Sequence, residues 1–373
     1  MKGWRYIAQR LPDEAFLDWS VPLEDVEITD VLSGDCSLTG SIPARYGRLI
    51  GSDGNPIIQP WATAIWAEKD GEIRGGGIVT QADPDGKNYG IECVGYTGYL
   101  AGLPYTGSGY AGIGADPIDI VRVIWNHVQS QPGGNLNLLL GETTTDVMIG
   151  SELTQAEYDS EDGPYTYDSG PYKLAWYQDN DLASNVNDLA AKTPFDYHEH
   201  HLWVGDSIEH HLEFGYPKIG SQRDDLRFVL GENILAAPQI TLSGDDYATD
   251  VLVLGAGEGA TQVMSLQGVP RSAGLRRVAV VTDSSIIATD SAFARGQREL
   301  AWRRNIQEID SFTVRDHPNA PLGSFSVGDT IYIKGRLPWT TLGTWARITQ
   351  ITTRPSEPNA IGITIARTDK LTS

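Results

Sequence analysis

Five of the seven histidines crowd into one short stretch: His198, His200, His201, His210 and His211, with Glu199 and Glu209 beside them. Imidazoles next to carboxylates are the donor set of zinc and nickel sites, which need three or four ligand atoms converging on one point. The surrounding segment, Phe195 to Tyr216, reads as a hairpin with its tip at Gly205-Asp206. That would set the two histidine groups facing each other across paired strands. Strand alternation divides them, however. His198 and His200 share one face, and His201 lies on the other with Tyr197 and Trp203. The expectation is polar cross-strand pairing rather than a bound metal.

A second pattern is Val251-Leu-Val-Leu-Gly255-Ala-Gly257-Glu-Gly-Ala260, which matches G-x-G-x-x-G/A after an apolar run. Another apolar run, Val278 to Thr282, ends at Asp283, near where a ribose-binding acid would sit. A dinucleotide site also needs a helix directly after the glycines, to lay its N-terminus on the pyrophosphate. Thr261 to Gly268 instead alternates Val263 and Ser265 against Met264 and Leu266, and no βαβ repeats surround it. A Gly-rich turn between antiparallel strands is expected. A nucleotide-dependent enzyme using Gly255 to Ala260 is kept as an alternative function.

Other chemistry leaves weaker traces. With 49 Asp and Glu, some close carboxylate pair is inevitable, so a glycosidase pair carries no signal. The acidic, Tyr-rich stretch 157–171, with Asp159, Glu161, Asp162 and Asp168, lacks the calcium-loop spacing and reads as an exposed loop. No G-x-S-x-G, H-E-x-x-H, Walker A or C-x-x-C motif occurs. No catalytic, cofactor-binding or metal residue is assigned, no cofactor is expected, and the chain is read as a non-enzyme. Ten Trp and sixteen Tyr are compatible with sugar stacking but are also ordinary β and interface residues. A receptor- or glycan-binding module is therefore the other alternative.

The elements that would carry these residues are mostly short strands. Pro60 to Ala67, the turn Lys69-Asp-Gly-Glu72, Ile73 to Thr80, the turn Asp83-Pro-Asp-Gly86 and Tyr89 to Val94 form a β-meander. Residues 95–114, dense in Gly and Tyr, read as a long crossing loop. Asp116-Pro117 opens a helix with Ile118, Val121, Trp125 and Val128 on one face, ended by Pro132-Gly133-Gly134. A second helix runs from about Asp181 to Lys192, with Leu182, Val186 and Leu189 in phase. A third starts near Thr289-Asp290 and carries Ala292, Phe293, Leu300 and Ile306, with a basic face of Arg295, Arg298, Arg303 and Arg304. Residues 311–373 return to strands.

The 373-residue chain has a formal net charge of −21. Such a surface repels phosphate backbones and anionic membranes, which argues against nucleic-acid binding and membrane insertion. The polar residues after Ile7 give no expectation of a signal peptide, and no apolar run of about 20 residues occurs. Two cysteines, Cys36 and Cys93, do not make a disulfide framework, and folding in a reducing cytoplasm is the simpler expectation.

Four stretches resemble the minor tail proteins of long-tailed actinobacterial phages, a group related to the baseplate hub proteins of contractile phages. They are Leu32 to Gly40 with Trp61 to Gly77, which ends in Ile-Arg-Gly-Gly-Gly; Cys93-Val-Gly-Tyr-Thr-Gly-Tyr-Leu-Ala-Gly102; Leu212-Glu-Phe-Gly215 with Gly231-Glu-Asn-Ile234; and Gly323 to Ile331. The resemblance implies two β barrels with a helical region inserted, and a homotrimeric ring at the end of the tail tube. Its implied partners are the distal tail, tape measure and tip proteins, and DNA passes through without being specifically bound. Some relatives carry a C-terminal peptidase or glycan-binding module; ending at Ser373, this sequence is expected to lack one.

The expected fold is mainly β with inserted helices, as two antiparallel β-barrel-like domains around an α/β region. The first barrel takes 1–115 with 195–232, the helical region 116–194 with 288–310, and the second barrel 233–287 with 311–373. The expected function is a structural tail hub at the virion's tail tip, assembled in the host cytoplasm, which links tube to tip and leaves a channel for DNA.

Overall fold

The computed structural model describes residues 3–85, 88–150, 152, 154–160, 163–178, 181–193, 195–236, 240–242, 244, 246–257, 259–268, 274–283, 286, 288–303, 307–338 and 341–367. Among the described residues strands dominate, with three α-helices: α1 (Pro117–Gln129), α2 (Leu182–Lys192) and α3 (Thr289–Arg303). The mainly β expectation therefore holds at the level of class.

The expected meander is present as Thr63–Lys69, Glu72–Asp85 and Asn88–Val94, antiparallel and consecutive. Trp4–Arg10 pairs with Thr63–Lys69 on one side, and Ser37–Pro43 with Asn88–Val94 on the other. Most residues of Thr63–Lys69 are buried, because the sheet is covered on both faces. Ala8, Ile65, Ala67 and Val79 enter one apolar cluster, with Val26, Ile28, Leu38 and Ile91. Their neighbours Ile7, Ala64, Trp66 and Ile78 enter another, with α1, α2 and the hairpin Asp196–Val204/Ser207–Gly215.

Two separate barrels do not describe the hydrogen bonding. Among the described residues no barrel closes, and one twelve-stranded sheet runs through both β regions. Thr341–Thr353 makes the join. Its first half pairs with Thr330–Arg336, while Gln350 to Thr353 pair with Val31 to Ile28. A 13-residue strand is long enough to serve both, at about 3.3 Å per residue. The C-terminal region has its own core of Phe228, Phe312, Val314, Phe325, Ile331, Ile333, Ile348 and Ile363.

Helix starts follow their caps. Asp116 accepts from the Ile118 N–H at 2.8 Å ahead of Pro117, and Asp181 accepts from the Ala183 N–H at 3.3 Å. Helix α3 packs on a small sheet of its own, with Ala292 and Leu300 against Val251 and Val253. Two local expectations are corrected. The acidic stretch is not a loop where it is described: Thr154–Ser160 and Gly163–Ser169 pair antiparallel, and the β-forming Tyr158, Tyr165, Thr166 and Tyr167 outweigh the acidic composition, while Glu161 and Asp162 lie outside the described residues. Residues 95–114 are not a bare crossing either. They hold a 3-10 turn at Thr97–Leu100 and a strand at Tyr110–Gly112, and Tyr96 and Leu100 are core residues.

Candidate functional site

The hairpin has the expected tip, and its register pairs His200 with His211, His201 with His210 and His198 with Glu213. Alternation splits the histidines as the sequence implies. His201 and His210 point into the core, Nδ1 to Nδ1 at 2.9 Å, so one ring donates and the other accepts. Both pack on the fully buried Trp66, whose indole N–H donates to Gln9 at 2.8 Å. Burial, then the charge of neighbouring histidines, lowers both pKa values, that of His210 to about 4. On the other face His200 and His211 stack nearly parallel at 5.1 Å.

His198 leaves this set and joins residues from the large sheet. Its Nε2 lies 2.6 Å from Asp30 Oδ1, and Cys36 Sγ lies 3.5 Å from the same oxygen. Burial opposes protonation of His198, but the Asp30 hydrogen bond and charge outweigh it and raise the pKa. Burial, then the charges of Glu199 and Asp30, pushes the Cys36 thiol well up. Glu199 is buried beside them. Its Oε2 accepts from the Thr97 N–H at 2.7 Å, while its Oε1 has no partner among the described residues. Burial raises its pKa to about 7, with the Thr97 hydrogen bond offsetting part of the cost.

These groups line a cavity of about 300 Å³ between the hairpin's edge strand and the sheet, with Arg74, Gly75, Gly76 and His201 also on its wall. Glycine is required here. A Cβ on Gly76 (φ +152°) would sit 2.2 Å from the Ile65 carbonyl, and one on Gly95 would sit 1.8 Å from Glu199 Oε1. Sequence reasoning missed Asp30 and Cys36, which lie more than 160 residues from His198. The only trace was their place beside Leu32-Ser-Gly-Asp35, a turn whose neighbours the sequence does not reveal.

The Gly255 pattern lies in a hairpin. Asp250–Leu254 leads into a turn with Gly257 at φ +104° and a 3-10 turn at Gly259–Thr261, then returns antiparallel as Met264–Gly268. The strand-to-helix step that presents amides to a pyrophosphate is replaced by a strand. The basic face of α3 is also corrected. Arg295 and Arg303 both pair with the buried Glu299, at 2.9 and 3.0 Å, which leaves Arg298 exposed. Arg304 and Ile306 lie outside the described residues.

Aromatic rings gather at one surface. Phe16 stacks on Trp19 at 4.3 Å and on Trp203 at 5.9 Å, with Trp19 46% exposed. Elsewhere Trp176 and Tyr177 are 69% and 70% exposed.

The fold is a mainly β architecture in which one long sheet, a two-helix layer and a small helix-backed sheet are threaded by a single chain. No protein-family model and no curated protein matches it. Solved structures do. The 43 kDa tail protein of prophage MuSo2 from Shewanella oneidensis is similar at a TM-score of 0.61 and 12% identity, over 98% of both chains. The tail protein from Neisseria meningitidis MC58 gives 0.57 and 12%, over 98% of this chain and 97% of that one. Prophage tail protein gp18 from Listeria monocytogenes EGD-e gives 0.57 and 10%, over 98% and 95%. At these identities the likeness establishes the fold.

Proposed function

We propose that the chain is a structural component of a bacteriophage tail, a hub at the tail tip rather than a catalyst. The carrying observation is the end-to-end fold likeness to three proteins that are each called tail proteins. In this reading the chain assembles as a homotrimeric ring in the host cytoplasm. It joins the tail tube to the distal tail, tape measure and tip proteins, and encloses a channel through which DNA passes.

Two features support self-assembly around DNA. The sheet face opposite α3 presents Met264, Leu266, Val278 and Val280, all exposed, as one apolar strip. An uncovered apolar sheet face is a common mark of a protein–protein contact. The net charge of −21 suits a wall that DNA slides past, since each phosphate neutralised by Lys or Arg would favour retention. Antibody labelling of purified virions tests the placement. Label at the tail tip supports the reading, and label on the capsid or along the whole tube contradicts it.

The Phe16, Trp19 and Trp203 stack, in which Trp19 is exposed, favours a second reading, a glycan-binding tail module, because an exposed indole packs well on a sugar face. Saturable binding of host cell-wall glycan, lost in Trp19→Ala, would favour it.

A further inference from the structure

We propose that Asp30, Cys36 and His198 are ligands of a zinc-class divalent cation that pins the hairpin to the large sheet. Three donor types meet here from three parts of the chain: a carboxylate on Glu24–Val31, a thiol before Ser37–Pro43 and an imidazole on Asp196–Val204. Their ligand atoms all lie within 4.8 Å of one another.

The spacing suits a tetrahedral ion. Zinc with sulfur at about 2.3 Å and oxygen at about 2.0 Å holds those two atoms about 3.5 Å apart. Cys36 Sγ and Asp30 Oδ1 are 3.5 Å apart. Nitrogen and oxygen on the same ion sit about 3.3 Å apart. The 2.6 Å contact between His198 Nε2 and Asp30 therefore opens by less than about 1 Å, a rotamer adjustment in a cavity of about 300 Å³.

A second, independent observation is Glu199. Its side chain is buried and lines the same cavity. The Thr97 N–H fixes Oε2, and Oε1 is left with no partner among the described residues. A buried carboxylate oxygen without a donor is costly, and a cation held by Asp30, Cys36 and His198 beside it offsets that cost.

The supports are in place around the ligands. Ser33 and Tyr197 exchange hydrogen bonds, N–H to O at 2.8 Å and N–H to Oγ at 3.2 Å, which holds the Cys36 turn against the histidine strand. The Gly95 N–H donates to the Cys36 carbonyl at 2.7 Å, and Thr97 Oγ1 donates to the Gly34 carbonyl at 3.1 Å. A thiolate, an imidazole and a carboxylate together select zinc over magnesium or calcium. On binding, the Cys36 thiol gives its proton to solvent and sulfur takes the metal.

The test uses the full chain without a histidine tag, stripped with chelator and titrated with zinc(II), then cobalt(II). The expected result is about one ion per chain, a higher melting temperature and a cobalt–thiolate charge-transfer band. Cys36→Ser should lose the band, and Asp30→Asn and His198→Ala should weaken binding at least about tenfold. His211→Ala, on the stacked pair, should bind as the parent does. No saturable binding, or no cobalt–thiolate band in the parent chain, overturns the proposal. Binding that survives Cys36→Ser but disappears in His211→Ala also overturns it. If Cys36→Ser does not fold, the band in the parent chain decides alone.

Discussion

The buried Arg347 and the partly buried Asp196 form a two-pronged ion pair that fastens the C-terminal β region to the hairpin of the helical layer. Arg347 also donates to the carbonyls of Gly328 at 2.9 Å and Ile219 at 2.6 Å, while Asp196 accepts from the Ile219 N–H at 2.7 Å. Every partner is satisfied, so removing one side strands a charge. Arg347→Met should cost about 3–5 kcal/mol in denaturant unfolding. A loss below about 1 kcal/mol would mean that the two regions are held by apolar packing alone.

Stability should fall in mild acid because of His210. Its folded pKa is about 4, against about 6.5 in the unfolded chain. Facing it are His201, Trp66, the Tyr96 hydroxyl at 3.4 Å and Glu14 at 3.7 Å. Above pH 6.5 both states are neutral and its contribution is complete. As pH falls from 6.5 to about 4 the unfolded chain gains the proton first, and up to about 3 kcal/mol is lost. His201 acts in the same direction. His210→Asn should flatten the unfolding free energy over this window. An unchanged slope would show that other groups dominate.

Gly257 should matter for folding and not for nucleotides. At φ +104° a β-branched side chain is strained, so Gly257→Val should destabilise by about 1–3 kcal/mol. Equilibrium dialysis with NAD(H) should show no saturable uptake by the parent chain. Micromolar binding that is lost in Gly257→Val would restore the cofactor reading.

The apolar strip on the small sheet should carry subunit contacts. Leu266→Lys and Val280→Asp change exposed side chains, and such substitutions usually alter stability by less than about 0.5 kcal/mol. Light scattering should show assembled parent protein and dissociated variants with the same melting temperature. An assembly that both variants leave intact would place the contact elsewhere.

Local signals in the sequence foretold what local structure decides. Asp116-Pro117 and Asp181 mark true helix starts, Gly205-Asp206 is the hairpin tip, and alternation separates His198 from His201. Long-range pairing left no such mark. Nothing near Gln350 signals that its strand continues onto Ile28 to Val31 and merges the two β regions. Arg295 and Arg303 read as a free basic face because Glu299, four residues from each, was not counted as their partner. Asp30 and Cys36 meet His198 only after the hairpin folds back on the sheet, so the cavity was invisible to spacing.

The most direct test of the tail-hub account is a cryo-electron reconstruction of the assembled tail containing this chain. The account predicts three copies around a central axis at the tip, an acidic lumen wide enough for duplex DNA, and Arg298 directed away from it. A single copy with no three-fold axis, or a lumen lined by Arg298 and its neighbours on α3, would contradict it.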